Sequence, residues 1–279
     1  MKTDGMILAA MVFCTLAAGA ADGVDAVDTL IGGSYRGHTF PGAACPFSMV
    51  QASPDTGLCD WDHCSGYVWE DPCAYGFSQT HLSGTGCPDL ADVRLLPFSN
   101  DFTDPDPYHW RIAKDFRTER GRPGYYTAAY TNQGVVVEAT ATPHVGVWRF
   151  SYASGAPVKL LVDFQWVNAG NMKGAVVQFA NRMGDDCRTI VGGRRTHAWL
   201  QRSVYWKLVF DRAWTKAVKL PKADAKEKGE RWVLEFESGS PLVVKAAVST
   251  VDEEGAAGNL AAEAEGRSFD DVRADARGK

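Results

Sequence analysis

From residue 123 onward, apolar and polar positions alternate in short runs separated by turn formers. Val204-Tyr205-Trp206-Lys207-Leu208-Val209-Phe210 shows the pattern most clearly. The runs Gly124–Thr131, Val135–Thr142, Val145–Tyr152, Val158–Phe164, Ala175–Ala180, Ser203–Phe210, Arg231–Glu237 and Leu242–Thr250 read as strands. They are rich in Val, Phe, Tyr, Trp and Thr, whose branched or flat side chains suit a pleated, half-buried surface. Asn132-Gln133-Gly134, Ser154-Gly155-Ala156-Pro157 and Ser238-Gly239-Ser240-Pro241 supply the turns between them. No helical period of useful length appears between 123 and 250. This spacing predicts a mainly β protein built as a β-sandwich. Lys222–Glu230 reads as a charged, solvated loop or hairpin tip.

The flanks differ. Residues 29–98 are rich in Gly, Pro, aromatic and polar residues, with Asp92–Phe98 as one candidate strand. Long loops of this kind tend to carry function. Near the end, Asn259 is placed to cap a short Leu260–Glu265 helix. Ser268 and Asp271 form an S-x-x-D capping box that opens a second helix over Phe269–Arg277. Residues 251–279 therefore read as the start of a helical linker. At the other end, Met1–Ala20 reads as a signal peptide. Lys2 is followed by an apolar stretch from Met6 to Ala18, about 13 residues and too short to span a bilayer, and then by small residues. The protein is expected to be exported, to the periplasm or beyond. No later run is long and apolar enough for a membrane span.

Composition narrows the function. Lys and Arg total 29 against 34 Asp and Glu, a net charge of −5, so nothing favours nucleic-acid phosphates. Aromatics reach 11%, with nine Trp. Flat rings suit a packed β core and also the apolar C–H faces of sugars. Six cysteines follow the signal segment: Cys45, Cys59, Cys64, Cys73, Cys87 and Cys187. None shows CxxC spacing, which argues against zinc despite His63 and His81. Loop disulfides are the expectation for an exported chain.

The loop-rich segment holds the most specific motifs. Gly37-His38-Thr39-Phe40-Pro41-Gly42-Ala43 leads to Pro46-Phe47-Ser48-Met49-Val50-Gln51 and Ser53-Pro54-Asp55-Thr56. Trp61-Asp62-His63-Cys64-Ser65-Gly66-Tyr67 and Tyr75-Gly76-Phe77-Ser78-Gln79-Thr80-His81-Leu82-Ser83-Gly84-Thr85-Gly86 follow. Pro123-Gly124-Tyr125-Tyr126 and Thr140-Ala141-Thr142-Pro143-His144-Val145-Gly146 come later. In this order the motifs resemble the N-terminal domain of glycoside hydrolase family 92, the calcium-dependent exo-α-mannosidases, over roughly residues 27–250. Gln79 stands where that family usually has His.

The resemblance implies an N-terminal β-sandwich, linker helices and a C-terminal (α/α)6 barrel. The barrel would supply the general acid, the general base and most ligands of Ca2+, while the sandwich loops close the sugar pocket. These 279 residues then lack the catalytic region and are expected to be inactive alone. The substrates would be α-mannoside glycans, such as N-glycans or mannan, with the barrel as partner in cis or in trans. No residue here is assigned as catalytic or as a metal ligand. The candidate sugar contacts are Trp61, Asp62, Cys64, His81, Thr85, Gly86 and His38. Each also has a purely architectural reading: loop anchor for Trp61, turn cap for Asp62, packing or disulfide for Cys64. For His81 and His38 it is a loop hydrogen bond, and for Thr85 and Gly86 an ordinary tight turn. A stand-alone carbohydrate-binding sandwich is the alternative. Trp148, Trp166, Trp206 and Trp232 read as core or interdomain surface, and His109 and His144 carry no signal.

Overall fold

The computed structural model describes residues 23–279 except Cys59, Gly170, Asn171 and Ser240. The expected signal segment, residues 1–20, lies outside the described residues. The strands are β1 Ala43–Ala44, β2 Gln51–Asp55, β3 Cys73–Ala74, β4 Gly76–Ser78, β5 Arg94–Phe98, β6 Ile112–Arg122, β7 Tyr125–Tyr130 and β8 Val135–Ala141. They continue with β9 Val145–Tyr152, β10 Val158–Asp163, β11 Val176–Met183, β12 Thr189–His197, β13 Gln201–Phe210, β14 Lys216–Lys219, β15 Arg231–Phe236 and β16 Leu242–Ser249. Among the described residues these form two antiparallel sheets. One has seven strands, ordered β1-β2-β4-β5-β10-β15-β14; the other has nine, ordered β11-β12-β13-β16-β9-β8-β7-β6-β3.

The expected alternation decides which side chains meet between the sheets. On β13, Val204, Trp206, Leu208 and Phe210 turn inward, and on β7 Tyr126, Ala128 and Tyr130 do so. Phe77 of the smaller sheet packs against Tyr130, Trp148 and Phe150 of the larger, with ring centroids 5.3, 5.7 and 6.4 Å away. Full burial of such a side chain stabilises by about 1.5–3 kcal/mol. Trp148, Trp166 and Trp206 are core residues, whereas Trp232 is half-buried.

Three expectations change. β6 and β12 were not anticipated, because charged residues and glycines break their apolar pattern. The loop 222–230 is not simply solvated. Glu227 is fully buried in a two-pronged pair with Arg231, at 2.8 and 3.0 Å. Near the end, α1 having been a single turn at Met172–Ala175, helix α2 spans Glu253–Glu263 and is capped by Asp252, which accepts from Gly255 N at 2.6 Å. Asn259 is interior to α2 and donates its side chain to Val248 O at 2.9 Å. Helix α3, Phe269–Gly278, carries the capping box expected at Ser268 and Asp271. Leu260, Ala264, Phe269 and Val272 of this region pack on Val145, Val147 and Ala247, covering part of the outer face of the larger sheet.

Candidate functional site

The long connections of the smaller sheet build a rim at one edge. The segment between β2 and β3 carries Trp61, and the segment between β4 and β5 carries Gly84, Thr85 and Gly86. His38 joins them: its carbonyl accepts from Gly84 N at 2.7 Å and its Nδ1 lies 2.6 Å from Thr85 O. Its ring meets the Trp61 indole edge-on at 4.7 Å, and the Arg36 guanidinium sits over that indole at 5.3 Å. A Cβ at Gly86 would come within 3.1 Å of Trp61 Nε1, so glycine permits this approach. Trp61 remains 50% exposed. Gly86 also lines a cleft of about 340 Å³ with Cys87, Pro88, Ala175, His197 and Trp199.

Buried charge fixes the rim. Asp89 accepts Leu90 N at 2.6 Å and Leu200 N at 2.7 Å, tying the β12–β13 turn to the rim. Asp92 accepts from Thr80 Oγ1 at 2.6 Å and from Arg194 and Arg202, each at 2.7 Å. Burial opposes charge on Asp92, but Arg202 and Arg194 hold its carboxyl well below the usual range. Leu90, Ala91 and Val93 take positive φ of 71°, 61° and 55°. A left-handed β-branched residue is strained, at about 1–3 kcal/mol. The ion pairs flanking this stretch hold it in that conformation.

Below the rim, His81 is locked inside the protein. Its side chain is 1% exposed. Nδ1 lies 2.8 Å from Gln51 O, and Nε2 lies 3.1 Å from Asp55 Oδ1 and 3.2 Å from Ser78 Oγ. Cys64 is also buried; its thiol donates to Trp61 O at 2.8 Å, and burial pushes its pKa up. Cys45, Cys64, Cys73, Cys87 and Cys187 are free thiols, so the expected disulfides are absent among the described cysteines. The thiols of Cys45 and Cys64 instead donate to carbonyls.

The structure thus gathers His38, Trp61, Thr85 and Gly86 on one rim and places Asp62 exposed beside Trp61. Cys64 and His81 lie beneath. Gln79 is buried, accepting from Trp148 Nε1 at 3.0 Å and linking the sheets. Sequence reading missed Arg36, Asp89 and Trp199. Only the 58% exposure of Trp199 at a turn tip, invisible in sequence, singles it out. It also missed His63, held between Asp60 at 2.5 Å and Asp71 at 2.7 Å. Among the described residues, no group of three or more His, Cys, Asp or Glu is arranged to hold a metal ion.

Two packed antiparallel sheets, with an aromatic rim built from long loops, define a β-sandwich domain. The chain belongs to glycosyl hydrolase family 92: residues 26–249 match that family's N-terminal domain. The family 92 α-mannosidase from Bacteroides thetaiotaomicron is similar in structure, with TM-score 0.81 and 27% identity, over 91% of this chain and 37% of that one. An inverting mannosidase of the family from Bacteroides thetaiotaomicron VPI-5482 has TM-score 0.77 at 20% identity, over 91% of this chain and 35% of that one, a likeness of fold. An uncharacterized secreted glycosidase from Arthroderma benhamiae is 29% identical over 164 residues, 54% of this chain and 21% of that protein. The chain therefore spans little more than a third of these structures and about a fifth of the curated relative. Among the described residues, no helix is long and apolar enough to cross a membrane.

Proposed function

We propose that this chain is the pocket-closing, carbohydrate-binding part of an exported, inverting exo-α-mannosidase acting on α-mannosides of N-glycans or mannan. Residues 27–250 are the sandwich and 251–279 begin the linker to an (α/α)6 catalytic barrel, joined in cis or acting in trans. The observation that carries the reading is Trp61, half exposed yet braced by His38, Arg36 and Gly86. A braced, open indole offers a flat apolar wall for a pyranose ring. The backbone of Gly84–Gly86 and the side chain of Asp62 can meet its hydroxyls, while His81 and Cys64 position these loops from below. Family membership and the α-mannosidase relatives support the mannoside.

Inversion needs a carboxylic acid and a carboxylate about 6.5–9.5 Å apart, open to substrate and water. Asp89 and Asp92 are buried and already bonded within the chain. We assign the acid and base to the barrel, along with calcium, on the family resemblance. Titration with mannose, followed by tryptophan fluorescence, should show a weak saturable change that Trp61→Ala removes. The chain alone should not hydrolyse a fluorogenic α-mannoside, with or without calcium. Turnover abolished by chelation, or a fluorescence change indifferent to Trp61→Ala, would overturn the reading.

A further inference from the structure

A second cleft, of about 610 Å³, lies on the outer face of the nine-stranded sheet over β11, β12 and β13. Strand register arranges its floor in two cross-strand rows. Ala180 pairs with Gly193, which pairs with Tyr205; Gln178 pairs with Arg195, which pairs with Ser203. Side chains in one row share a face of the sheet.

The first row is small, absent and aromatic. Without a Cβ at residue 193, the Tyr205 ring can lie down across the strand. A Cβ there would stand 2.4 Å from Tyr205 Cδ1 and 2.9 Å from Cε1. One side of the ring thus rests against Gly193, and the ring borders the cleft. The neighbouring row supplies an amide, a guanidinium and a hydroxyl. Among the described residues, the Gln178 amide, the Ser203 hydroxyl and the Tyr205 phenol have no hydrogen-bond partner in the chain. Arg195 makes one long contact, 3.5 Å to Gln201. Glu253, at the rim, is engaged by Arg182.

A flat ring beside a row of free donors and acceptors is complementary to a pyranose, which has an apolar C–H face and an equatorial belt of hydroxyls. We propose that this cleft is a second carbohydrate-binding site, with Tyr205 as its stacking platform, Gly193 as the residue that lets the platform lie flat, and Gln178, Arg195 and Ser203 as its hydroxyl-binding groups. Its ligand is a pyranoside unit of a glycan chain. That the unit is a mannoside rests on the proposed function; the platform does not.

The test is a titration of the whole chain with α-mannobiose, and in parallel with cellobiose, followed by amide chemical shifts. Saturable shifts at Gly193, Arg195 and Tyr205 are expected with at least one of the two sugars. Tyr205→Ala and Gly193→Ala should each weaken that affinity about tenfold, the size of a lost stacking contact. Tyr205→Phe, which keeps the ring, should bind within about threefold of the native chain; this guards against misreading a folding defect. Trp61→Ala should leave these shifts unchanged. Shifts confined to Gly84–Gly86, or no shifts with either sugar, overturn the second site. If the Tyr205 shifts persist while Trp61→Ala has no effect anywhere, the second site stands and the pocket-closing reading fails.

Discussion

Arg94 and Asp163 are both fully buried and meet at 2.7 Å. Arg231 joins them at 3.0 Å, and Arg94 also donates to Tyr75 O and Pro107 O. Removing one partner of such a pair leaves a buried charge uncompensated, at about 3–5 kcal/mol. Asp163→Asn should therefore lower the unfolding free energy by that amount, read as a lower urea midpoint at unchanged slope, and a near-native midpoint would show that water reaches the site. At Gly57, a Cβ would stand 2.0 Å from His63 Cδ2. Gly57→Ala should displace His63 and destabilise by about 1–3 kcal/mol in the same assay. Neither role was legible in the sequence. Arg94 lies within a stretch read as a strand, but nothing in the linear pattern announces that its charge is buried. Trp61 stands out in the sequence as a large apolar residue in a polar loop, and the structure leaves it 50% exposed.

At the scale of elements, the Asp60–His63–Asp71 link stiffens the loop that carries Trp61. Burial opposes a charged His63, but the hydrogen bonds to Asp71 and Asp60 outweigh it and raise its pKa above 6.5. A raised folded-state pKa gives stabilisation that is complete below 6.5 and is lost as pH rises through the folded value. Melting temperature should thus fall as pH climbs from 6.5, and His63→Gln should flatten that slope. An unchanged slope would assign the effect elsewhere. Helix α2 is held by Glu263, which accepts from Thr142 Oγ1 at 2.5 Å and His144 N at 2.9 Å. Burial opposes the Glu263 charge, yet these bonds depress its pKa below 4.5. This contribution is present above 4.5 and is lost as pH falls through the folded value. Glu263→Gln should speed amide exchange in α2 at neutral pH and remove the difference in acid. Losing the Ser268 cap should cost about 1 kcal/mol, seen as faster exchange confined to α3. The capping box could be read from four residues, because it is local. The start of α2 could not: Asp252 was passed over for Asn259, whose amide proved to bind the sheet.

Across the whole molecule, each of the eight runs expected between 124 and 250 coincides with a strand, whether it alternates cleanly or, like β10, is almost wholly buried; β12 and β14 lie outside those runs. β12, Thr-Ile-Val-Gly-Gly-Arg-Arg-Thr-His, shows no clean alternation, yet it joins β11 to β13 throughout its length. Its Arg194 faces inward onto Asp92, Phe164 O and Trp166 O, and its Gly193 yields space to Tyr205. β6 hides in the same way, with Lys114 and Glu119 paired inside at 2.9 Å. The sequence by itself determined the β-sandwich class, the C-terminal cap and the family, since alternation, capping and ordered motifs are local properties. Only the tertiary structure decided which charges are internal and which cysteines stay free. It alone brought His38, Trp61 and Gly86 to one rim, and Gly193 beneath Tyr205. Those outcomes depend on contacts between residues distant along the chain, which exist only once the two sheets have closed on each other.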